Sequence, residues 1–299
     1  MKQKYIIGVG CSWTQGEGAY PEHVWKESNG RAQVRGRPDD HRRVYEHENS
    51  WVNVLCRDHF TDYKSINLGV RGIGNRAAVK QLHFCDTVDW DNSEGYIVLM
   101  LSGVERFDFM QKDPVHPNDN GHYDGYHNGG YAHYKWKTMW PLPGSGGPMD
   151  GPLWDYYGTH LWSESFVATE CLMAMLELQT FCKAYGFKMI VVNAFNQLGV
   201  YPEYNMRQYM QKYTSNMADK FDWSCYLHEA TPYCAMMQKL VQLDGLMEPK
   251  DWGGYYNFYE KLDWPATYLT NDVHPTIEGY KIIASEIADF VNRNNNDRS

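Results

Sequence analysis

The chain of 299 residues carries 28 lysine and arginine residues against 37 aspartate and glutamate residues, a formal net charge of −9. This acidic balance argues against a nucleic-acid groove, which needs a basic face for the phosphates. The length favours one α/β domain with insertions over two independent domains. No apolar run approaches the roughly 18 residues that a membrane span requires, so we expect neither a nucleic-acid partner nor a membrane.

Seven cysteines stand at irregular spacings without a C-x-x-C pair. This pattern predicts neither a disulfide framework nor a zinc site, and it indicates free thiols in a reducing compartment. The first residues, M-K-Q-K and a short apolar run, lack the longer apolar stretch of a signal peptide. We therefore expect a cytoplasmic protein.

Taken in chain order, apolar runs predict strands and periodic runs predict helices. Strands are predicted at Tyr5–Gly10, Tyr63–Leu68, Gly95–Leu101 and Phe187–Ala194, with a short fifth strand at Asp222–Tyr226. The third run is apolar throughout, as expected for a central parallel strand that is covered on both faces. Helices are predicted from Ser50, at Asn75–Val88, from Ser163 to Tyr185, near Glu203–Lys220, at Pro232–Leu243 and from Pro275 to about Asn292.

Three aperiodic segments predict insertions, at about 20–48, 107–162 and 245–265. The middle segment is crowded with Gly, His, Tyr, Trp and Pro, and such a long loop is usually a lid, a binding loop or an interface. Its aromatic side chains suit stacking on sugar rings, or contact with a protein partner or a second copy. Alternatively, about half of them form a small core beneath the loop. Its histidines lack H-E-x-x-H spacing, so no metal is predicted.

The serine of the stretch G-C-S-W-T-Q-G, residues 10–16, directly follows the first strand. Ser12 stands at a strand end between glycines, which is where an α/β enzyme presents a nucleophile. A hydroxyl needs a base to take its proton. His274, in the run N-D-V-H-P before the last predicted helix, is the candidate. Alone, such a run is more often a turn before a helix, and its value comes from occurring together with the serine stretch.

These two motifs resemble those of the SGNH (GDSL-type) hydrolases, which have G-x-S-x-T-x-G near the N-terminus and [DN]-x-x-H-P near the C-terminus. The spelling Gly-Cys-Ser-aromatic-Thr is similar to that of a subgroup from bacteria and their phages. The family comprises esterases, lipases, thioesterases and carbohydrate deacetylases. The resemblance implies a single domain over residues 1–299, a flavodoxin-like three-layer α/β sandwich with a mostly parallel five-stranded sheet and aromatic-rich insertions.

In this family the acidic member of the triad stands three residues before the histidine. That position is Asn271 here, and Asp272 lies one residue closer. A buried acid fixes the tautomer of the imidazole and stabilises the imidazolium. The resemblance therefore leaves two alternatives: Asp272 serves His274 through a shifted loop, or the site is impaired.

The run N-L-G-V-R-G-I-G-N, residues 67–75, is by itself a glycine turn between a strand and a helix. A nucleotide-binding loop would need its glycines after the first strand. The resemblance implies an oxyanion hole made by the backbone N–H groups of Ser12 and Gly72. The family's third donor is an asparagine, but Val104 stands there and cannot donate. Asn75 and Arg106 are the substitute candidates; Arg106 is alternatively a surface or salt-bridged arginine.

The implied activity is that of a serine esterase or acylhydrolase acting on a small O-acyl ester, with a carbohydrate O-acetyl group as the candidate and without a cofactor. Predicted substrate-binding residues are Trp13, Trp136 and Trp140. The alternative is a catalytically impaired binding or structural module on the same fold, for example a component of a phage particle or of a glycan-recognition assembly. If the chain is encoded by a phage, the protein would be located in the virion.

Overall fold

A computed structural model of the chain describes residues 2–21, 40–103, 106–111, 135–139, 160, 162–194, 205–231, 233–245, 267–270 and 274–296. The strands are β1 Gln3–Gly10, β2 Lys64–Gly69, β3 Ser93–Leu101, β4 Phe107–Gln111, β5 Lys135–Met139 and β6 Lys188–Asn193. The α-helices are α1 Ser12–Gln15, α2 Asp40–Asn49, α3 Trp51–Asp58, α4 Asn75–Lys80, α5 Glu164–Tyr185, α6 Met206–Thr214, α7 Met236–Leu243 and α8 Ile277–Asn296. Short 3₁₀ helices lie at Gln81–Phe84, Trp90–Asn92, Ser215–Lys220, Trp223–Cys225 and Leu227–Ala230.

The main sheet has four strands, all parallel, in the order β2-β1-β3-β6. Strands β4 and β5 form a separate antiparallel pair. At the end of β1, Gly10 is in register with Gly69 of β2 and Met100 of β3. The carboxyl ends of these strands therefore meet at one edge of the sheet, where the ligand sites of open α/β sheets lie.

Helices cover the sheet in two groups. Helix α3 packs on β1 and β2 and contacts α8, which also contacts α7. Helix α4 packs on β1 and β3 and contacts α5, which in turn packs on β3 and β6 and contacts α6. This arrangement fits a three-layer α/β fold, in which an apolar sheet needs cover on both faces. The central strand β3 is accordingly buried from Tyr96 to its end at Leu101.

The four longer predicted strands are confirmed, each within two residues of its predicted ends. The predicted fifth strand at Asp222–Tyr226 is wrong. The side chain of Asp222 accepts hydrogen bonds from the backbone N–H of Ser224 at 3.1 Å and from its hydroxyl at 2.6 Å. Such local bonding competes with strand pairing, and it supports a 3₁₀ helix instead. The backbone joins the sheet there through an isolated parallel bridge between Tyr226 and Val191.

Several predicted helices are confirmed, with corrections at their ends. Ser163 caps α5 by accepting a hydrogen bond from the N–H of Phe166 at 3.1 Å, and the helix ends before Gly186. Helix α4 stops at Lys80 and tightens into a 3₁₀ turn instead of reaching Val88. Tightening of this kind is common at helix ends. The predictions at Glu203–Lys220 and Pro232–Leu243 become the shorter helices α6 and α7.

The structure describes parts of two of the predicted insertions. Helix α2 begins within 20–48, where the sequence predicts an ordered insertion or a long loop. The antiparallel pair β4 and β5 lies within 107–162. Most of that segment, and 246–266, lie outside the described residues. Among the helices that the structure describes, none is long and apolar enough to cross a bilayer.

Candidate active site

Ser12 lies where β1 ends at the carboxyl edge of the sheet. The chain turns directly into the single helical turn α1, in which the N–H of Thr14 donates to the carbonyl of Cys11 at 2.9 Å and that of Gly16 donates to the carbonyl of Ser12 at 3.1 Å. The Asn67 amide donates to the Thr14 carbonyl at 2.8 Å. The end of β2 therefore holds the loop that carries the serine. We call residues 11–18 the serine loop.

His274 is held by a tight turn before α8. The N–H of Thr270 donates to the His274 carbonyl at 2.8 Å, and the N–H of His274 donates to the Thr270 hydroxyl oxygen at 2.9 Å. An antiparallel bridge joins Leu269 to Pro275 directly beside this turn. The backbone of His274 is therefore fixed from both sides before the final helix begins.

The structure brings Ser12 and His274 together. His274 Nε2 lies 3.0 Å from Ser12 Oγ, although the two residues are 262 positions apart in the chain. Both residues are recessed, with 7% of Ser12 and 8% of His274 exposed. This is the hydrogen-bond geometry that a serine nucleophile and its general base require. Asn271 and Asp272 lie outside the described residues, so their roles stay predictions.

Gly18 lets the histidine turn approach the serine loop. Its φ of +96° is one that other residues rarely adopt. A Cβ at this position would lie 2.6 Å from the Pro275 carbonyl oxygen and 3.0 Å from His274 Cβ. Only glycine therefore allows the two halves of the site to meet at this distance.

We expect Gly18→Ala to reduce turnover by on the order of 10²-fold, because displacing a catalytic group by about 1 Å has costs of that size. Gly186→Ala is the matched control, since Gly186 also has a positive φ, +75°, but an added Cβ there meets no atom within 4 Å. Both variants should lower the thermal unfolding midpoint, and only Gly18→Ala should impair catalysis. Equal turnover in the two variants would contradict the role assigned to Gly18.

A buried carboxylate from the serine loop also reaches His274. Glu17 is fully buried, and its Oε2 lies 3.3 Å from His274 Nε2 and 3.5 Å from Arg71 Nε. The hydroxyl of Tyr280, on α8, donates to the Glu17 backbone carbonyl at 2.8 Å. The backbone and the side chain of Glu17 therefore both link the serine loop to the segment that carries the histidine.

Arg71 connects Glu17 to a second buried carboxylate. Its guanidinium also donates to Glu46 of α2, and Glu46 accepts a further hydrogen bond from the Tyr20 hydroxyl. We call Glu17, Tyr20, Glu46 and Arg71 the charge cluster. Burial raises the pKa of the Glu46 carboxyl, the Arg71 charge opposes this, and the nearby Glu17 adds to it. Burial works against the Arg71 charge, yet its pKa is raised because Glu17 and Glu46 stabilise the guanidinium.

Sequence reasoning missed the charge cluster. Its members come from the serine loop, from the residues just after that loop, from helix α2 and from the turn after β2, and their side chains converge only through tertiary packing. One signal was available: Glu17 is a charged residue between two glycines, directly after the serine motif. A carboxylate placed there is more informative than one on a solvated helix face, since the neighbouring motif predicts a site.

Gly72 occupies the turn after β2 with a φ of +69°, and a Cβ added there would meet no atom within 4 Å. In this turn the N–H of Val70 donates to the Gly10 carbonyl at 3.0 Å, and that of Arg71 donates to Gln15 Oε1 at 3.0 Å. Within the described part of the chain, no acceptor takes the N–H of Gly72. That N–H is therefore available to a ligand, and its role in an oxyanion hole stays a prediction of the resemblance.

Asn75 and Arg106 have other partners. Asn75 Oδ1 accepts from the backbone N–H of Ser102 at 2.7 Å and from its hydroxyl at 3.0 Å. The amide nitrogen of Asn75 faces the carbonyls of Ser102 and Gly103, both at 3.5 Å. Arg106 Nη1 donates to the Ile73 carbonyl at 3.1 Å. These contacts tie α4 to the end of β3, and the substitute-donor roles of both residues stay predictions without support from the geometry.

The predicted aromatic contacts differ in outcome. Trp13 is fully buried in the hydrophobic core, so the geometry gives no support to its predicted role in substrate binding, which stays a prediction. The backbone of Trp136 lies in β5, but its side chain is not among the described ones, and Trp140 and Val104 lie outside the described residues altogether. Across the residues that the structure describes, no group of three or more His, Cys, Asp or Glu side chains could hold a metal ion.

No model of a known protein family matches the chain, and no curated protein matches it in sequence. The chemistry of the site therefore rests on its own geometry. That geometry supplies a hydroxyl, an imidazole within hydrogen-bond distance of it, and a backbone N–H at a neighbouring turn. These three groups suit acyl transfer.

Proposed function

We propose that the chain is a serine ester hydrolase of the SGNH type that cleaves a small O-acyl ester. The observation that carries this proposal is the distance of 3.0 Å between Ser12 Oγ and His274 Nε2. Two short motifs at opposite ends of the chain are each weak signals. Their meeting as a hydrogen-bonded pair at the carboxyl edge of a parallel sheet is the arrangement that nucleophilic catalysis needs.

The reaction follows from this pair. His274 Nε2 takes the proton of Ser12 as Oγ attacks the ester carbonyl, which becomes a tetrahedral oxyanion. Collapse of this intermediate breaks the ester bond, and the leaving alcohol takes the proton from Nε2. Water then attacks the acyl-serine by the same route, with His274 as base and then as acid. The carboxylic acid is released and Ser12 is restored.

The developing oxyanion would be held by the backbone N–H groups of Ser12 and Gly72. Both belong to turns at the carboxyl edge of the sheet, and the N–H of Gly72 has no acceptor among the described residues. Preorganised donors of this kind stabilise charge where it develops in the transition state, and losing one costs on the order of 10²–10³ in rate. Two donors instead of three predict a slower enzyme than one with the family's asparagine.

The strand order supports the family assignment. The order β2-β1-β3-β6 matches the first four strands of the flavodoxin-like arrangement. The bridge between Tyr226 and Val191 lies beside β6, the position at which the next strand of that arrangement would pair. We accordingly assign the chain a flavodoxin-like fold whose last sheet position is reduced to this bridge.

The recessed position of the pair favours a small acyl group. Ser12 and His274 are each less than one tenth exposed, so a short acyl chain reaches Oγ more readily than a branched or bulky one. A carbohydrate O-acetyl group fits this requirement, and the aromatic insertions suit a sugar ring. The remaining expectations are a cytoplasmic location and no nucleic-acid partner, in keeping with the acidic composition.

The second candidate is a retained hydrolase fold that serves as a binding or structural module. It is favoured by Val104, which stands where the family has its third oxyanion donor, and by Asn271, which stands at the usual acid position. A fluorophosphonate probe separates the two, since it reacts covalently with an activated serine only. We expect labelling of the native protein that maps to Ser12 and disappears on denaturation. Absence of labelling would favour the binding module.

Asp272 and Asn271 give a further prediction. If Asp272 orients His274, then Asp272→Asn should reduce turnover by about 10⁴-fold with the fold intact, because the imidazole then adopts the wrong tautomer. The adjacent Asn271→Ala is the matched control and should cost much less. The measurement is kcat on p-nitrophenyl acetate, with circular dichroism to verify folding. The reverse ranking would assign the orienting role to Asn271.

A further inference from the structure

Glu17 contacts the same nitrogen of His274 that faces Ser12. Its Oε2 lies 3.3 Å from Nε2, while Ser12 Oγ lies 3.0 Å from it. The carboxylate is fully buried, so solvent does not screen this contact. Since a buried charge without compensation is costly, the position of Glu17 requires positive charge nearby.

Arg71 also lies against this carboxylate. Its guanidinium keeps its proton throughout the accessible pH range, and it contacts Glu46 as well as Glu17. A buried carboxylate 3.3 Å from Nε2 stabilises the protonated imidazole relative to the neutral one.

Among the residues that the structure describes, two phenols also lie near these charges, Tyr20 of the N-terminal segment and Tyr280 of α8. Burial raises the pKa of both the Tyr20 and the Tyr280 hydroxyls, with the carboxylates adding to the effect, so these phenols stay uncharged near neutral pH. Asp272, on the histidine's own loop, lies outside the described residues.

We propose that Glu17 is a positioning residue that stabilises the protonated form of His274, and that Arg71 and Glu46 hold it in place. The inference rests on the proposed function for its catalytic meaning. When Nε2 takes the Ser12 proton, the positive charge of the ring lies beside the Glu17 carboxylate, and the proton stays on Nε2 until the leaving alcohol takes it. No proton passes to Glu17. The serine loop thereby carries both the nucleophile and a negative charge that faces the imidazolium.

The test is the protonation of His274 measured by NMR on the full chain, with its ring resonance identified by its loss in His274→Ala. We expect Glu17→Gln, which keeps the shape and removes the charge, to lower the titration midpoint by about one pH unit or more. Glu46→Gln is the matched control, since it removes an equally buried carboxylate that binds Arg71 without touching the imidazole. It should shift the midpoint by less than half as much. The acid limb of kcat/KM should move with the midpoint.

An unchanged or raised midpoint in Glu17→Gln would overturn the inference, and so would equal shifts in the two variants. If Glu17→Gln does not fold, the midpoint in Asp272→Asn decides, because the candidate acid of the histidine's own loop is then neutral: above the ordinary value of about 6.5 it supports the inference, and at or below that value it overturns it. Because the titration needs no turnover, the two proposals can fail separately. A shifted midpoint in a protein without esterase activity would reject the proposed function alone, and activity with an unmoved midpoint would reject the role of Glu17 alone.

Discussion

Ser12→Ala is expected to reduce the turnover of p-nitrophenyl acetate by roughly 10⁴- to 10⁶-fold, the range found when the nucleophile of a serine hydrolase is removed. The loss follows because no other hydroxyl is placed 3.0 Å from His274 Nε2 among the described residues. The fold should survive, since Ala keeps Cβ and removes one small polar atom from a turn that backbone hydrogen bonds hold. Purified wild type and variant are compared in kcat and in thermal unfolding.

Cys11→Ala is the control for this experiment. Cys11 is adjacent to Ser12 and carries a thiol, which is itself a nucleophile, but it is fully buried and part of the hydrophobic core. A buried free cysteine behaves mostly as a small apolar side chain, so most activity should remain. Equal turnover of wild type and Ser12→Ala, or inactivation by iodoacetamide that maps to Cys11, would reject Ser12 as the nucleophile.

His274→Ala should cost nearly as much as Ser12→Ala, because the serine hydroxyl then has no base to take its proton. The two losses should not add. In a catalytic unit that works together, removing either member costs about as much as removing both. The double variant Ser12→Ala/His274→Ala is therefore expected to show the residual rate of the single variants. The measurement is kcat of four proteins: the wild type, the two single variants and the double variant.

His83→Ala is the control for the histidine. His83 also lies beside a glutamate, Glu177 at 3.3 Å, but its side chain is half exposed and it has no contact with Ser12 among those of the described residues. Its replacement should leave kcat unchanged. Additive losses in the cycle, giving a double variant much slower than either single one, would show that Ser12 and His274 act independently and would contradict the proposed mechanism.

Several elements of this protein could be predicted from the sequence because their causes are local. The apolar run that became β3 is long and continuous, and Ser163 and Gly186 cap α5 through their own side-chain and backbone properties. The serine and histidine motifs could also be found in the sequence, because in each of them a reactive residue stands next to the residues that form its turn. Their pairing was predicted only through the family resemblance, which two short motifs carried.

Other features depended on contacts between distant segments. Helix α2 has no apolar periodicity, and Glu46 within it contacts Tyr20 and Arg71 from two other parts of the chain. The predicted fifth strand had apolar and aromatic residues, but the hydrogen bonds of Asp222 with its own neighbours outweighed sheet pairing. At helix α2 and at residues 222–226, the local sequence pattern therefore did not predict the secondary structure that forms in the folded chain.

The sequence by itself determined the nucleophile loop, the candidate base and the parallel α/β architecture, because strands and turns depend on residues that are close together in the chain. Only the tertiary structure decided which charges surround the imidazole. Glu17, Glu46 and Arg71 are ordinary charged residues in the sequence, and each would be costly to bury alone. Packing of the serine loop, helix α2 and the turn after β2 brings them together, so that each compensates the burial of the next.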